Sequence, residues 1–307
     1  MRLKHPDKGL EEICCVYQVT RQAFYSLLSA HQKETLAFAI VLVLVKEIRR
    51  EIPGIGVRKL LHMLLPEFKK HGIKLGRDQF FDLLRAQGML IRRRKRIVKT
   101  TDSFHWLHKY PNLVQGLTLT RPEELWVSDI TYMRTGTGFS YLSLITDAYS
   151  RKIMGYALYP TLEVTGCIAA LKMAENNRQY KVLDLPLIHH SDRGIQYCSA
   201  KYVTLLNKAG IDISMTQTGN PYDNALAERV NETIKGDYFP TRIYDNHAVA
   251  ADAVDKIIQS YNVRRPHQSI GYLTPQDAHN SVSPFERLWK KYPRKRKNAE
   301  PVIDDAD

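Results

Sequence analysis

The sequence predicts an α/β protein built on a mixed sheet and preceded by an all-helical region. Three observations predict it. Up to about residue 90, apolar residues recur at helical spacing, as in "VRKLLHMLL" and "DQFFDLLRAQGML". From residue 125, three runs rich in β-branched and aromatic residues follow one another, "LWVSDITYM", "FSYLSLITDAYS" and "KIMGYALY", joined by tight polar turns. After them helical and strand-like segments alternate, which is the order of an α/β sheet.

The elements follow in order. Residues 11–28, "EEICCVYQVTRQAFYSLL", read as helix, turn, helix. Ile13, Val16 and Tyr17 form the first apolar stripe, Thr20 is the N-cap of the second helix, and Phe24, Leu27 and Leu28 form its stripe. Thr35 to Arg50 predicts a separate long helix ended by "PGIG" at 53–56, and Val57 to Leu65 a helix ended by Pro66. A third carries Phe80, Phe81, Leu83 and Leu84 on its apolar side, with Gly88 near its end. Short helices with a basic last member suggest a helix-turn-helix unit that binds DNA. The basic run Arg92, Arg93, Arg94, Lys95 and Arg96 marks a boundary and suits a phosphate backbone. The three strand-like runs predict an antiparallel meander. "LEVTGCIAALKMAENN" is then a helix, "LPLIHHSD" a strand, "SAKYVTLLNKAG" a helix closed by Gly210, and "IDISMT" a strand. "NPYDNALAERVNETIKGDYF" and "NHAVAADAVDKIIQSYN" are helices, and "RRPHQSIGYLTP" is a loop. The expected organisation is a helix-turn-helix-like segment (1–34), a helical DNA-binding unit (35–91), a basic linker (92–120), an α/β core (121–284) and a basic tail (285–307).

Composition narrows the partner. The 307 residues carry a net charge of +13, with a pI near 9.5. Residues 1–100 hold 21 Lys+Arg against 9 Asp+Glu, whereas residues 101–284 hold 17 against 18. "FERLWKKYPRKRKN", 285–298, holds seven basic residues and one acid, and four acids follow in the last nine residues. A near-neutral body between basic extensions suggests a polyanion, most simply nucleic acid. Residues 1–100 are expected to supply most DNA affinity, and the core is expected to fold without them. Cys14, Cys15, Cys167 and Cys198 make no C-x-x-C pair, so a structural zinc site is not expected. Such thiols fit a reducing cytoplasm and read as buried. The first ten residues are polar and charged, unlike a signal peptide. The longest apolar run, Leu36 to Val45, is about half of the roughly 20 residues a membrane span needs, so a buried helix and no membrane partner are expected.

Three carboxylates stand out by context. Asp129 lies in the first strand of the meander, Asp192 ends the fourth strand in "LIHHSDRGIQYCS", and Glu228 lies on the helix after the fifth. Taken singly, Asp192 is a turn residue before Arg193-Gly194, and the Glu228 helix a solvated face. Together, strands one and four placed side by side, with the helix leaning over them, make an oxygen-rich cluster. Such a cluster is costly without a cation and suits Mg²⁺ or Mn²⁺. Two ions about 3.5–4 Å apart clamp the attacking and leaving oxygens of a phosphodiester exchange. On the helix, Leu226, Ala227, Val230 and Ile234 form the apolar face, while Asn224, Glu228 and Lys235 lie near one line opposite it. Glu232, one turn on, rivals Glu228.

"WVSDITY", "HHSDRGIQY" and "NPYDNALAERVNETIK" in this order resemble the integrase-type core of bacterial insertion-sequence transposases of the IS-three family. The chain is similar to the product of that family's second reading frame. The 35 residues between Asp192 and Glu228, the basic Lys235 seven after the glutamate, and the flanking "YLSLITDAYSRKIMGYAL" and "YNVRRPHQSIGYLTP" carry the resemblance. It covers roughly residues 35–280.

The resemblance implies an RNase H-like fold with a five-stranded mixed sheet, and a DDE triad of Asp129, Asp192 and Glu228 that ligates two Mg²⁺ ions. It favours Glu228 over Glu232, and it places Lys235 against DNA near the scissile phosphate. Water then attacks a phosphodiester at the transposon end, and the freed 3′-hydroxyl attacks a second one, with no covalent enzyme intermediate and no Ser or Tyr nucleophile. Tyr197 and Tyr222 are read as packing or DNA-stacking residues, and His189 and His190 as structural. The implied partners are double-stranded DNA (terminal inverted repeats and target), further copies in a homo-oligomer, and the first-frame product or a fusion with it. The implied location is the bacterial cytoplasm, at the nucleoid. The competing readings are a DNA-binding regulator without chemistry, a metal-dependent nuclease without strand transfer, and a retroviral-type integrase, which would need a His/Cys zinc module.

Overall fold

The computed structural model describes residues 9–91, 106–180, 186–217, 224–239 and 243–281. The basic run Arg92–Arg96, Tyr222 and the tail 285–307 lie outside them.

The chain starts with helices α1 (Leu10–Val16), α2 (Arg21–Glu51), α3 (Val57–Lys70) and α4 (Arg77–Ala86). Thr20 caps α2 as expected, its side chain accepting from the Ala23 N–H at 3.1 Å. The two helices expected at 21–28 and 35–50 are instead one helix of 31 residues, and a boundary at 34/35 falls inside it. "SAHQKET", 29–35, holds neither Gly nor Pro, so nothing stops propagation. Pro66 likewise stands inside α3 and does not end it. Its missing N–H removes one ladder bond, which the burial of Leu60, Leu64 and Phe68 outweighs. The apolar run of α2 is not the buried helix expected. Val41 and Val45 are its buried residues, while Leu36 and Val43 are exposed, and by length and composition alone α2 is long enough to span a membrane. Cys15 is exposed, whereas Cys14, Cys167 and Cys198 are buried as expected.

Strands β1 (Leu125–Thr135), β2 (Gly138–Asp147) and β3 (Ile153–Tyr159) form the antiparallel meander. Helix α5 (Val164–Asn176) crosses to β4 (Leu187–Ser191), then come short α6 (Ile195–Cys198), α7 (Ala200–Lys208) and β5 (Ile211–Met215). Helices α8 (Ala225–Tyr238), α9 (His247–Val263) and α10 (Pro275–Asn280) follow. The sheet order is β3-β2-β1-β4-β5, with β4 parallel to both β1 and β5. Five strands of mixed direction between helices match the expected class. The segment read wholly as loop to its final proline instead starts α10 at Pro275, after Thr274 as N-cap.

Helix α5 lies close on β3. A Cβ at Gly155 would meet the Ala170 carbonyl at 2.0 Å, so only glycine permits this approach. Helix α10 is held by a buried charged network: His279 Nε2 lies 3.4 Å from Glu123 Oε1, and the Asp147 carboxylate accepts from the Glu123 N–H at 2.7 Å.

The helices before the sheet do not form a separate core. Val41, Val45, Leu60, Leu64, Phe68, Phe80 and Leu84 share one buried cluster with Met133, Val230, Ile234, Tyr238, Ile258 and Tyr261. The expected independence of the core meets this shared burial: removing the first hundred residues would bare the outer faces of α8 and α9 to water.

Candidate active site

Parallel pairing of β1 with β4 puts Trp126 beside His189, Val127 beside His190 and Ser128 beside Ser191. The next residue on each strand is a carboxylate, Asp129 and Asp192. The β1–β4 pairing stops just before them, so Asp129, within β1, and Asp192, just past the end of β4, come side by side. The local fold explains why β4 leaves the core. Gly194 donates its N–H to Asp192 Oδ1 at 3.1 Å and starts α6, and a Cβ there would stand 3.0 Å from the same oxygen. The glycine therefore orients the carboxylate as well as turning the chain.

Helix α8 leans over this point. Asn224, its N-cap residue, donates from Nδ2 to the Ser128 carbonyl at 3.1 Å. Glu228 is half-buried one turn on. Asn231 donates from Nδ2 to Asp129 Oδ2 at 2.8 Å. Lys235 sits over the Tyr132 ring, 4.2 Å from its centre. Glu232 is exposed, with its carboxylate 3.9 Å from Arg229 Nε. The structure thus brings Asp129, Asp192, Asn224, Glu228 and Lys235 to one place and turns Glu232 outward.

Electrostatics point the same way. Burial and the Asp192 and Glu228 charges push the Asp129 carboxyl up to about 7, against the hydrogen bonds from Asn231 and the Ile130 N–H. Burial lowers Lys235, and Asp129 partly offsets this. The buried Oδ1 atoms of Asn224 and Asn231 have no hydrogen-bond partner. Among the described residues no three His, Cys, Asp or Glu side chains are drawn close enough to hold an ion as they stand.

Asn231 was not singled out in the sequence. Its signal was available, since position i+3 from Glu228 shares that residue's helix face. Asn231→Ala is expected to raise the Mg²⁺ concentration needed for half-maximal thermal stabilisation by roughly 10–100-fold, the usual cost of losing a group that orients a ligand. An unchanged midpoint would show that the hydrogen bond positions nothing.

The neighbouring groups are structural. His189 is fully buried between Ser128 Oγ (2.8 Å) and the Tyr202 hydroxyl (2.9 Å), and burial lowers it to about 3, so it is neutral. His190 Nδ1 lies 2.8 Å from Ser214 Oγ. Tyr197 is buried against His189 and Tyr202, which makes it a packing residue with no access to DNA.

The integrase core domain family matches residues 120–221, and a second integrase core domain family matches residues 209–275. An insertion element IS600 protein of 31 kDa from Shigella sonnei is 32% identical over 86% of this chain and 96% of its own length. The transposase for IS629 from Shigella sonnei is 32% identical over 73% of each chain. The chain belongs to the insertion-sequence transposases with an integrase-type core. Within them it is of the IS-three family: transposase InsF for IS3fB of Escherichia coli K12 is 32% identical over 64% of this chain and 68% of that one. Among solved structures, the HTLV-2 integrase catalytic core in complex with magnesium aligns at 19% identity with a TM-score of 0.40, over 52% of this chain and 97% of that one.

The transposase carries a five-stranded mixed sheet in its integrase core, and it is a polynucleotidyl transferase that cleaves and joins DNA in transposition and integration. Its integrase-type core goes with dependence on a divalent metal ion. A regulator without chemistry is not favoured, since the family's reaction and the three acids occur together in this chain.

Proposed function

We propose that Asp129, Asp192 and Glu228 are the catalytic triad, that they hold two Mg²⁺ ions with Mn²⁺ as a substitute, and that they cut transposon ends and join them to target DNA. The observation that supports this is the β1–β4 register, in which Asp129 within β1 neighbours Asp192 just past the end of β4, under α8. The donor set fits the ion. It is all oxygen, and burial together with the Asp192 and Glu228 charges pushes the Asp129 carboxyl up to about 7, a place where a cation would be favourable. When bound, such ions supply Lewis-acid polarisation of a phosphoryl oxygen and a more acidic water.

The chain's own residues do the rest. Asn231 fixes the Asp129 carboxylate, the Gly194 N–H fixes that of Asp192, and Asn224 ties the start of α8 to β1. Lys235, at the rim, meets a phosphate, and Asn224 serves the same strand. The closed packing around Tyr197 leaves the 3′-hydroxyl of DNA itself as the nucleophile of the joining step. Helices up to residue 91 and the run Arg92–Arg96 hold duplex DNA, residues 121–284 carry the chemistry, and residues 285–307 add a basic tail. The transposase acts as the second-frame product, in a homo-oligomer or joined to the first-frame product, in the cytoplasm at the nucleoid.

Incubating the full chain with labelled, family-type terminal inverted repeats and Mg²⁺ tests this reading. Mg²⁺-dependent nicking at the end followed by joining is expected. Tight binding without either step would overturn it, and nicking without joining would favour a nuclease. Replacing Arg92, Arg93, Arg94, Lys95 and Arg96 by Gln is expected to weaken duplex binding at moderate salt. It should also flatten the slope of log affinity against log salt, by about 0.9 for each phosphate that is no longer neutralised. Equal slopes for the two chains would move the footprint elsewhere.

A further inference from the structure

Beyond Asp129, β1 has no β4 partner, because that pairing ends at Ser128. The open edge leads to a group of aromatic side chains on the other face of the sheet. Tyr132 stands opposite Tyr141, and Tyr141 stands opposite Tyr159, so three tyrosines form a row across β1, β2 and β3. Phe139 lies on the same face, diagonal to Tyr132, their rings 5.7 Å apart and edge to face. Tyr159 is covered by α5, where its ring would meet a Cβ at Gly166 at 3.3 Å. Tyr132 and Phe139 are not covered: they are 40% and 54% exposed. Two large rings in water at the mouth of a site are costly unless something stacks there.

A continuous strip joins this platform to the acids. Asn231 touches Asp129, and Lys235, one turn further along α8, reaches round the β1 edge to the Tyr132 ring. Arg134, exposed and opposite Phe139, adds a second cation beside the rings. Cations interleaved with exposed rings are the composition of a single-strand binding surface, since every base has a face to stack and a phosphate to neutralise.

We propose that Tyr132 and Phe139, flanked by Lys235 and Arg134, form a nucleobase-stacking site that takes an unpaired base of the strand whose phosphate lies at the carboxylates. This rests on the catalytic reading given above. The strand passes over the open edge of β1, its phosphate on the Asp129 side and its next base on the Tyr132 side. Lys235 then leaves the ring for the phosphate, and the base takes its place. A frayed end fits this path, whereas a closed duplex keeps its bases stacked on one another.

The test uses the full chain and two probes: a 12-nucleotide thymidine strand carrying one 2-aminopurine, and the blunt duplex of the same strand. Tyr132→Ala is expected to weaken binding of the single strand about 5- to 150-fold, with loss of the 2-aminopurine signal, and to change duplex binding less than about twofold. Phe139→Ala moves the same way, and Tyr132→Phe, which keeps the ring, stays near the parent. The salt slope is unchanged in all three, because no charge is lost. Equal single-strand affinity in Tyr132→Ala and Phe139→Ala overturns the proposal, and so does a loss in Tyr132→Phe as large as in Tyr132→Ala. The outcome is separable from the catalytic reading. Cleavage that survives Asp129→Asn overturns that reading, while inactive carboxylate variants with undiminished stacking variants overturn only this one.

Discussion

Asp129→Asn is expected to abolish cleavage and strand transfer and, in the absence of divalent ions, to make the fold more stable at pH 8. Both effects have one origin. Three carboxylates face each other, and Asp129, the most enclosed, is pushed up to about 7 by burial and by Asp192 and Glu228, from an ordinary value of 3.8. The folded chain thus keeps a proton that the unfolded chain gives up. Stability contributed by the protonated form is full below about pH 4 and is lost as pH rises through 7. At about 1.4 kcal/mol per pH unit the loss has an upper limit of about 4 kcal/mol. Asparagine has no proton to lose and escapes it, while the Nδ2 donor of Asn231 still finds an acceptor in the amide oxygen. Urea unfolding at pH 5 and pH 8 checks the stability, and equal pH dependence in parent and variant would refute the electrostatic account. Asp192→Asn and Glu228→Gln should be equally inactive on DNA. Glu232→Gln should keep activity, since Glu232 is exposed and lies near Arg229. An inactive Glu232→Gln beside an active Glu228→Gln would exchange their roles.

Gly54→Ala is expected to damage folding and catalysis together. Gly54 lies in the turn between α2 and α3 and donates its N–H to the Asp237 carbonyl on α8 at 2.7 Å. A Cβ there would stand 2.1 Å from the Gly236 carbonyl oxygen and 2.8 Å from the Asp237 Cα. Backbone cannot swing aside as a side chain can, so α3 must separate from α8. Overpacking of this kind costs about 1–3 kcal/mol or more, which is several degrees in melting temperature for a chain of this size. Nearby, the Arg265–Asp237 ion pair (2.7 Å) ties α8 to the end of α9, and Arg264 on Glu51 (2.6 Å) ties the end of α2 to the same segment. Because α8 carries Glu228, Asn231 and Lys235, a shifted α8 is expected to lower strand transfer even where the variant folds. Gly236→Ala is the control. Nothing lies within 4 Å of its Cβ, and alanine in a helix is worth up to about 1 kcal/mol over glycine. A Gly54→Ala protein that melts and reacts like the parent would show that the helices and the core move independently.

The sequence by itself determined most of the sheet and where the three acids lie in it. Alternation and β-branched content marked β1, β2 and β3, and turn residues bounded β4 and β5, because these signals are local. The aspartates were legible for the same reason: each breaks an apolar run, Asp129 within β1 and Asp192 just past the end of β4. Local signals failed where the answer depended on distant partners. Ser29 to Glu34 read as a gap between two helices, yet no Gly or Pro stands there and α2 runs through. Pro66 read as a stop, yet packing of Leu64 and Phe68 carries α3 past it. Asn231 was not singled out, because the acceptor that explains its inward place on α8 is Asp129, 102 residues earlier. The joining of α2, α3 and α4 to α8 and α9 in one core was decided only by tertiary structure. Periodicity tells which face of a helix avoids water. It does not tell which other face will cover it, because burial is non-directional and is settled by the shape of the whole chain.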